Sequence, residues 1–183
     1  MKKEYIEKIY AGWLAKVIGV RYGAPVESWT YEKIKKFYGT LTGYPQDYKL
    51  FAADDDTNGP LFFLRGLEDF GHYKDEGKDF CAQDVADALL NYAPYEHGFF
   101  WWGGYGISTE HTAYLNLRNG IPAPRSGSIE QNGAATAEQI GGQIFIDTWG
   151  LVAPGKTASN TSTKALAMTG IPETAISFRT SVS

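Results

Sequence analysis

From Lys2 to Val20 the apolar residues Ile6, Ile9, Tyr10, Trp13, Leu14, Val17 and Ile18 follow one another at steps of three and one. That spacing lines them up on one face of an amphipathic helix and predicts that the face is buried. A short helix over roughly Tyr31 to Phe37 is expected within the loop from Arg21 to Gly43. Pro60 to Phe70 reads as the next helix, since proline suits a first turn, where its missing N–H has no partner to lose. Asp79 to Ala93 reads as another, stopped by Pro94, and Thr109 to Leu117 as a further one, ended by Asn119, Gly120 and Pro122. Ile129 to Trp149 has room for one or two more, with Ile140, Ile144 and Phe145 facing inward. Period-two alternation is nearly absent and no repeat stands out, so the expected fold class is all-α.

The pattern breaks near Gly155. From Lys156 to Ser183 the chain is dominated by Thr, Ser and Ala, and its apolar residues (Leu166, Met168, Ile171, Ile176, Val182) keep no period. Residues 1–155 are therefore expected to form the folded domain and 156–183 a disordered tail.

Composition narrows the function classes. The chain has 183 residues, 43% hydrophobic and 21% charged, which suits one soluble domain with a sizeable core. Seventeen cationic against twenty-one anionic residues give a net charge of −4, which argues against nucleic acid or an anionic membrane as main partner. The single cysteine, Cys81, rules out a disulfide framework and a cysteine-built zinc site, and its expected place is the buried face of a helix. No apolar run has signal-peptide length or reaches the roughly 18 residues of a membrane span, so a cytoplasmic protein is expected.

The sharpest chemical feature is Asp54-Asp55-Asp56-Thr57, set between the apolar runs Leu50–Ala53 and Pro60–Leu64. Three adjacent carboxylates repel one another and resist desolvation unless a cation or a helix dipole compensates. Oxygen ligands at a helix entry suit Mg²⁺ or Ca²⁺, and an exposed acidic cap on the following helix is the other reading. Glu27 follows Gly19, Gly23 and Pro25 in a loop that either aims its carboxylate at a ligand or leaves it in water. The segment Phe99 to Gly106, with Phe100, Trp101, Trp102 and Tyr105, offers faces for an adenine or a sugar, or fills a corner of the core. Arg125 to Ala135, including Ser128, Asn132 and Gly133, places small residues before a helix, as a phosphate cradle or a plain capped turn. It is not a Walker loop, because no Gly-Lys-Ser/Thr follows. His72, His97 and His111 show no metal-ligand spacing, and His111 reads as a hydrogen-bonded structural residue.

Together these pieces resemble the ADP-ribosylglycohydrolase family. Gly12 to Gly19 with Gly23-Ala24-Pro25-Val26-Glu27, then Asp54-Asp55-Asp56-Thr57, then Asn132-Gly133-Ala134-Ala135 match three motifs of that family in order, from about Tyr5 to Gly155. The resemblance implies an all-α, mostly orthogonal helical bundle holding two Mg²⁺ ions beside an ADP-ribose cleft. Its members hydrolyse the bond between ribose C1″ and an acceptor. By that resemblance Asp55 and Asp56 are metal ligands, and Asp55 with Glu27 carries the catalysis. Asp54 stands where the family usually has Thr, so a hydroxyl ligand becomes a carboxylate. Ser128, Asn132 and Gly133 are expected near the diphosphate or the distal ribose. The implied partners are ADP-ribose or an ADP-ribosylated protein.

The family's second carboxylate cluster, Asp-x-Asp-Thr/Ser, has no counterpart here, so the expected bundle is truncated, half of the metal site is missing, and a chain with this tail is expected to be marginally stable and inactive. The codons of Met168-Thr169 read ATG-ACN, and the frame one base earlier permits the family-like His-Asp-Gly-Asn across Ala167 to Ile171, which suggests a shifted frame in the tail. Two other functions stay open: a non-catalytic, crystallin-like or ligand-binding protein on the same scaffold, and a carbohydrate-directed hydrolase using the Phe99–Tyr105 aromatics.

Overall fold

In the computed structural model, helices form where the apolar period is 3.6, and no strand occurs among the described residues, 3–49, 54–70, 80–98 and 100–152. The chain divides into two compact units, Met1–Thr57 and Asn58–Ser183. The expected all-α class holds. Among the described residues no helix is long and apolar enough to cross a membrane. The tail from 156 to 183, Phe99, His72 and the run Leu50–Ala53 lie outside the described residues.

In the first unit, α1 (Lys3–Gly23) carries i,i+4 ion pairs between Lys8 and Glu4 at 2.8 Å and between Lys3 and Glu7 at 3.7 Å. Such pairs stabilise an exposed helix only slightly. The expected burial of its apolar face is not found. No residue of α1 is buried, and Ile6, Tyr10, Leu14 and Ile18 are 44–69% exposed, while Ile9, Trp13 and Val17 are half-buried. Periodicity reports that a face is able to pack, and says nothing of what covers it. A 3₁₀ turn (Ala24–Val26) follows, then α2 (Tyr31–Tyr38), capped by the Thr30 hydroxyl accepting from Lys33 N–H and closed by Gly39 at φ +70°. Arg21 ties the next loop back to α1, donating to Tyr48 O at 3.0 Å and lying over the Tyr44 ring.

α3 (Asp55–Phe70) begins five residues earlier than expected, so Pro60 lies inside it instead of opening it. Ahead of Pro60 the first-turn donors find partners, Thr57 N–H and hydroxyl at Asp54 O and Asp56 N–H at Asp55 Oδ1. In the second unit, the turn at Gly59 and Pro60 accepts a close neighbour: Phe145 packs where a side chain at Gly59 would be, and Thr148 Oγ1 donates to Pro60 O at 2.7 Å. Gly66 likewise lets Ala88 approach, 3.1 Å from an ideal Cβ. α4 (Ala82–Tyr92) buries Ala82, Val85, Ala86 and Leu89 along one stripe, as i, i+3, i+4, i+7 spacing requires. Cys81 is a correction. It sits half-buried at the N-cap of α4, its N–H donating to Asp84 Oδ2 at 2.6 Å, because the helix starts just after it.

α5 (Thr109–Arg118) is buried along almost its whole length, polar residues included. Beyond it lie a 3₁₀ turn (Arg125–Gly127), α6 (Ile129–Asn132), α7 (Ala134–Ala137), α8 (Gly141–Phe145) and α9 (Asp147–Val152). Four short helices therefore replace the one or two expected over 129–149, since Gly133 at φ +75° interrupts the ladder. Phe145 points inward and Ile144 packs on the core as expected, but Ile140, at the N-cap of α8, is exposed. The core joins Phe63, Val85, Leu89, Phe100, Tyr114, Phe145 and Trp149.

Candidate functional site

Asp54, Asp55 and Asp56 occupy the entry to α3, where backbone N–H groups and the helix dipole favour negative charge. Asp54 immediately precedes the helix, and its backbone carbonyl accepts from Thr57 N–H at 3.2 Å. Asp56 N–H also donates to Asp55 Oδ1 at 3.0 Å. Thr57, which is buried, closes the turn by donating its hydroxyl to Asp54 O at 3.1 Å. One carboxylate oxygen from each aspartate lies within 4.8 Å of the others.

Capping alone does not account for this geometry. Asp54 Oδ1 is buried and has no hydrogen-bond partner. Burial, with the charges of Asp56 and Asp55, pushes the Asp54 carboxyl up to about 6. Asp55 is raised as well, by burial first, then by Asp56, and in smaller part by Glu27. A hard divalent cation fits this donor set, because it satisfies the orphaned oxygen and cancels the mutual repulsion.

Glu27 belongs to the same unit and its charge reaches Asp55, as just described. It ends the 3₁₀ turn after α1 and is exposed; Ser28 beyond it takes φ +62°, a left-handed conformation that a non-glycine residue adopts at a cost. That turn redirects the chain directly after the carboxylate.

The expected nucleotide contacts lie in the second unit and have internal partners. Asn132 Oδ1 accepts from Asn116 Nδ2 at 2.7 Å, and Asn132 Nδ2 donates to Ser126 O at 2.9 Å. Ser128 Oγ caps α6 by accepting from Gln131 N–H at 3.2 Å, and Gly133, exposed at φ +75°, separates α6 from α7. These residues cluster with one another and build the turn. In the aromatic segment Phe100 is in the core and Trp102 packs against Tyr95 and Tyr114, leaving Trp101 and Tyr105 exposed. His111 has the structural role expected of it. Its Nδ1 accepts from Gly104 N–H at 3.0 Å, which leaves the proton on Nε2, facing the Tyr95 hydroxyl at 3.4 Å.

One carboxylate was not singled out by sequence. Glu110, buried on α5 beside Thr109, borders a cavity of about 30 Å³ with Phe63, Leu89, Phe100 and Phe145. A Glu-His pair on a helix gives no sign of burial, so no pattern in the sequence marks it.

No curated protein and no solved structure matches the chain. The sequence model of the ADP-ribosylglycohydrolase family matches residues 1–169, running past Gly155. The acidic entry to α3 and the helical architecture lie within that match, and the chain belongs to the ADP-ribosylglycohydrolase family, whose chemistry is of the glycohydrolase type.

Proposed function

We propose that this chain is a Mg²⁺-dependent hydrolase that cleaves an ADP-ribosyl bond at ribose C1″. The single observation behind the reading is the carboxylate cluster of Asp54, Asp55 and Asp56 with its orphaned Asp54 Oδ1, inside the matched family region. Asp54, Asp55 and Asp56 would hold the metal; two ions are the family's complement. When bound, Mg²⁺ supplies a Lewis acid that fixes ribose hydroxyls and lowers the pKa of a water.

The protein's own groups do the rest. Departure of the acceptor from C1″ builds positive charge on the ribose, and the carboxylates of α3 favour that charge electrostatically. Glu27, in the loop after α1 and near enough for its charge to reach Asp55, takes a proton from the attacking water and returns it to the leaving atom. The C1″–acceptor bond breaks, a C1″–OH bond forms, and one water is consumed. The substrate is ADP-ribose linked to a protein, and the expected setting is the cytoplasm.

The test is release of ADP-ribose from an ADP-ribosylated protein by the full chain, with Mg²⁺ and with a chelator. Mg²⁺-dependent release, abolished by Asp55→Ala and reduced by Glu27→Gln, supports the reading. Release unaffected by both the chelator and Asp55→Ala would overturn it.

A further inference from the structure

The chain is acidic overall, yet α2 is locally cationic. Lys33, Lys35 and Lys36 stand against a single Glu32, and all three lysines are exposed. None of the three has an ion-pair partner among the described residues, although Lys33 and Lys36 are i,i+3 neighbours whose like charges repel. Two of them are instead held over aromatic rings. Lys33 Nζ lies 3.8 Å from the Trp29 ring centroid and Lys35 Nζ 5.7 Å from that of Tyr31. Trp29 in turn packs edge-on against Phe37 at 5.7 Å and stacks on Tyr38 at 6.1 Å. Tyr31 and Phe37 stay 69% and 71% exposed.

A helical turn places Lys33 and Lys36 on one flank of α2 and Lys35 on the other. The three cations therefore do not converge on a point, as a single phosphate would need. They suit carboxylates spread along an extended chain, with an apolar residue of that chain resting on Phe37. We propose that α2 is a docking surface for an acidic polypeptide segment of the acceptor protein; as a statement about substrate, this rests on the hydrolase reading above. Thr30 and Gly39 cap the helix at its two ends, so the surface is preformed. Glu27 lies only four residues before Tyr31, so a segment seated on α2 runs past the chain that bears it.

The experiment is fluorescence anisotropy of a short fluorescein-labelled Glu-rich peptide containing one Leu, without ADP-ribose and without Mg²⁺, titrated with the full chain. Binding is expected to fall about tenfold in Lys33→Ala/Lys35→Ala/Lys36→Ala and to survive the equivalent arginine substitutions. Lys3→Ala/Lys8→Ala/Lys49→Ala, which removes the same charge elsewhere, should leave it within a factor of two. Circular dichroism of each variant checks the fold. Failure of the unsubstituted chain to bind, equal loss in the two alanine triples, or tighter binding of a single-stranded oligonucleotide of equal charge would each overturn the proposal. Because the peptide lacks ADP-ribose, failure here leaves the hydrolase reading standing, and an inactive hydrolase leaves this result standing.

Discussion

The ring of Phe145 occupies the space that a Cβ on Gly59 would need, with Cδ1 2.3 Å from the ideal Cβ position. Phe145 cannot easily retreat, since it is buried and packs edge-on against Phe63 at 5.6 Å and Phe100 at 5.8 Å. Gly59→Ala should therefore destabilise the protein by about 1–3 kcal/mol, despite the helix propensity of alanine. A urea midpoint equal to or above that of the unsubstituted chain would contradict this packing.

Stability should depend on pH through Asp54. Its carboxyl titrates near 6 in the fold against 3.8 unfolded, so the folded state binds more protons between those values. The metal-free protein should then lose stability as pH rises from about 4 to about 6, and Asp54→Asn should flatten that slope. Melting temperatures across this range, measured with a chelator present, decide the sign. A slope of the opposite direction would show that Asp54 is favoured as the anion.

Mg²⁺ should reverse the penalty above pH 6. Binding to the folded chain alone raises stability by about 2.7 kcal/mol at a hundredfold excess over the dissociation constant. Thermal shift with increasing Mg²⁺ should show a concentration-dependent rise that Asp55→Ala and Asp56→Ala abolish. An identical rise in those variants would place the metal elsewhere.

Asn132→Ala should weaken the fold as well as any ligand contact. The Asn116 amide, on a residue that is almost wholly buried, loses its partner at Asn132 Oδ1 and keeps Ser126 O at 2.8 Å. The expected cost is about 1–2 kcal/mol. Unchanged stability in denaturant would mean that this hydrogen bond contributes nothing to the second unit.

Helix type and order were legible because the stops after α4 and α5, Pro94 and Asn119-Gly120, are local signals. The start of α3 was missed because Pro60 is a strong local signal, whereas the support for an earlier start comes from the Asp54 carbonyl, which takes the N–H and the hydroxyl of Thr57, and from Thr148, distant in sequence. The four short helices after Ser128 depend on Gly133, whose left-handed backbone is not fixed by the residue type alone. Of the site, Asp54–Asp56 stood out because adjacent carboxylates are costly whatever surrounds them. Glu27 was legible through its loop and the family motif; the electrostatic link to Asp55 needed the fold. Glu110 was hidden because its burial arises from residues as far along the chain as Phe145.

Since α1 buries none of its residues, its backbone ladder is sheltered by its own turns more than by neighbours. Its amide protons should exchange with deuterium through local opening, well before those of α5, whose carbonyls and N–H groups lie under packed side chains. The first element of the chain would thus be the last to report on global unfolding.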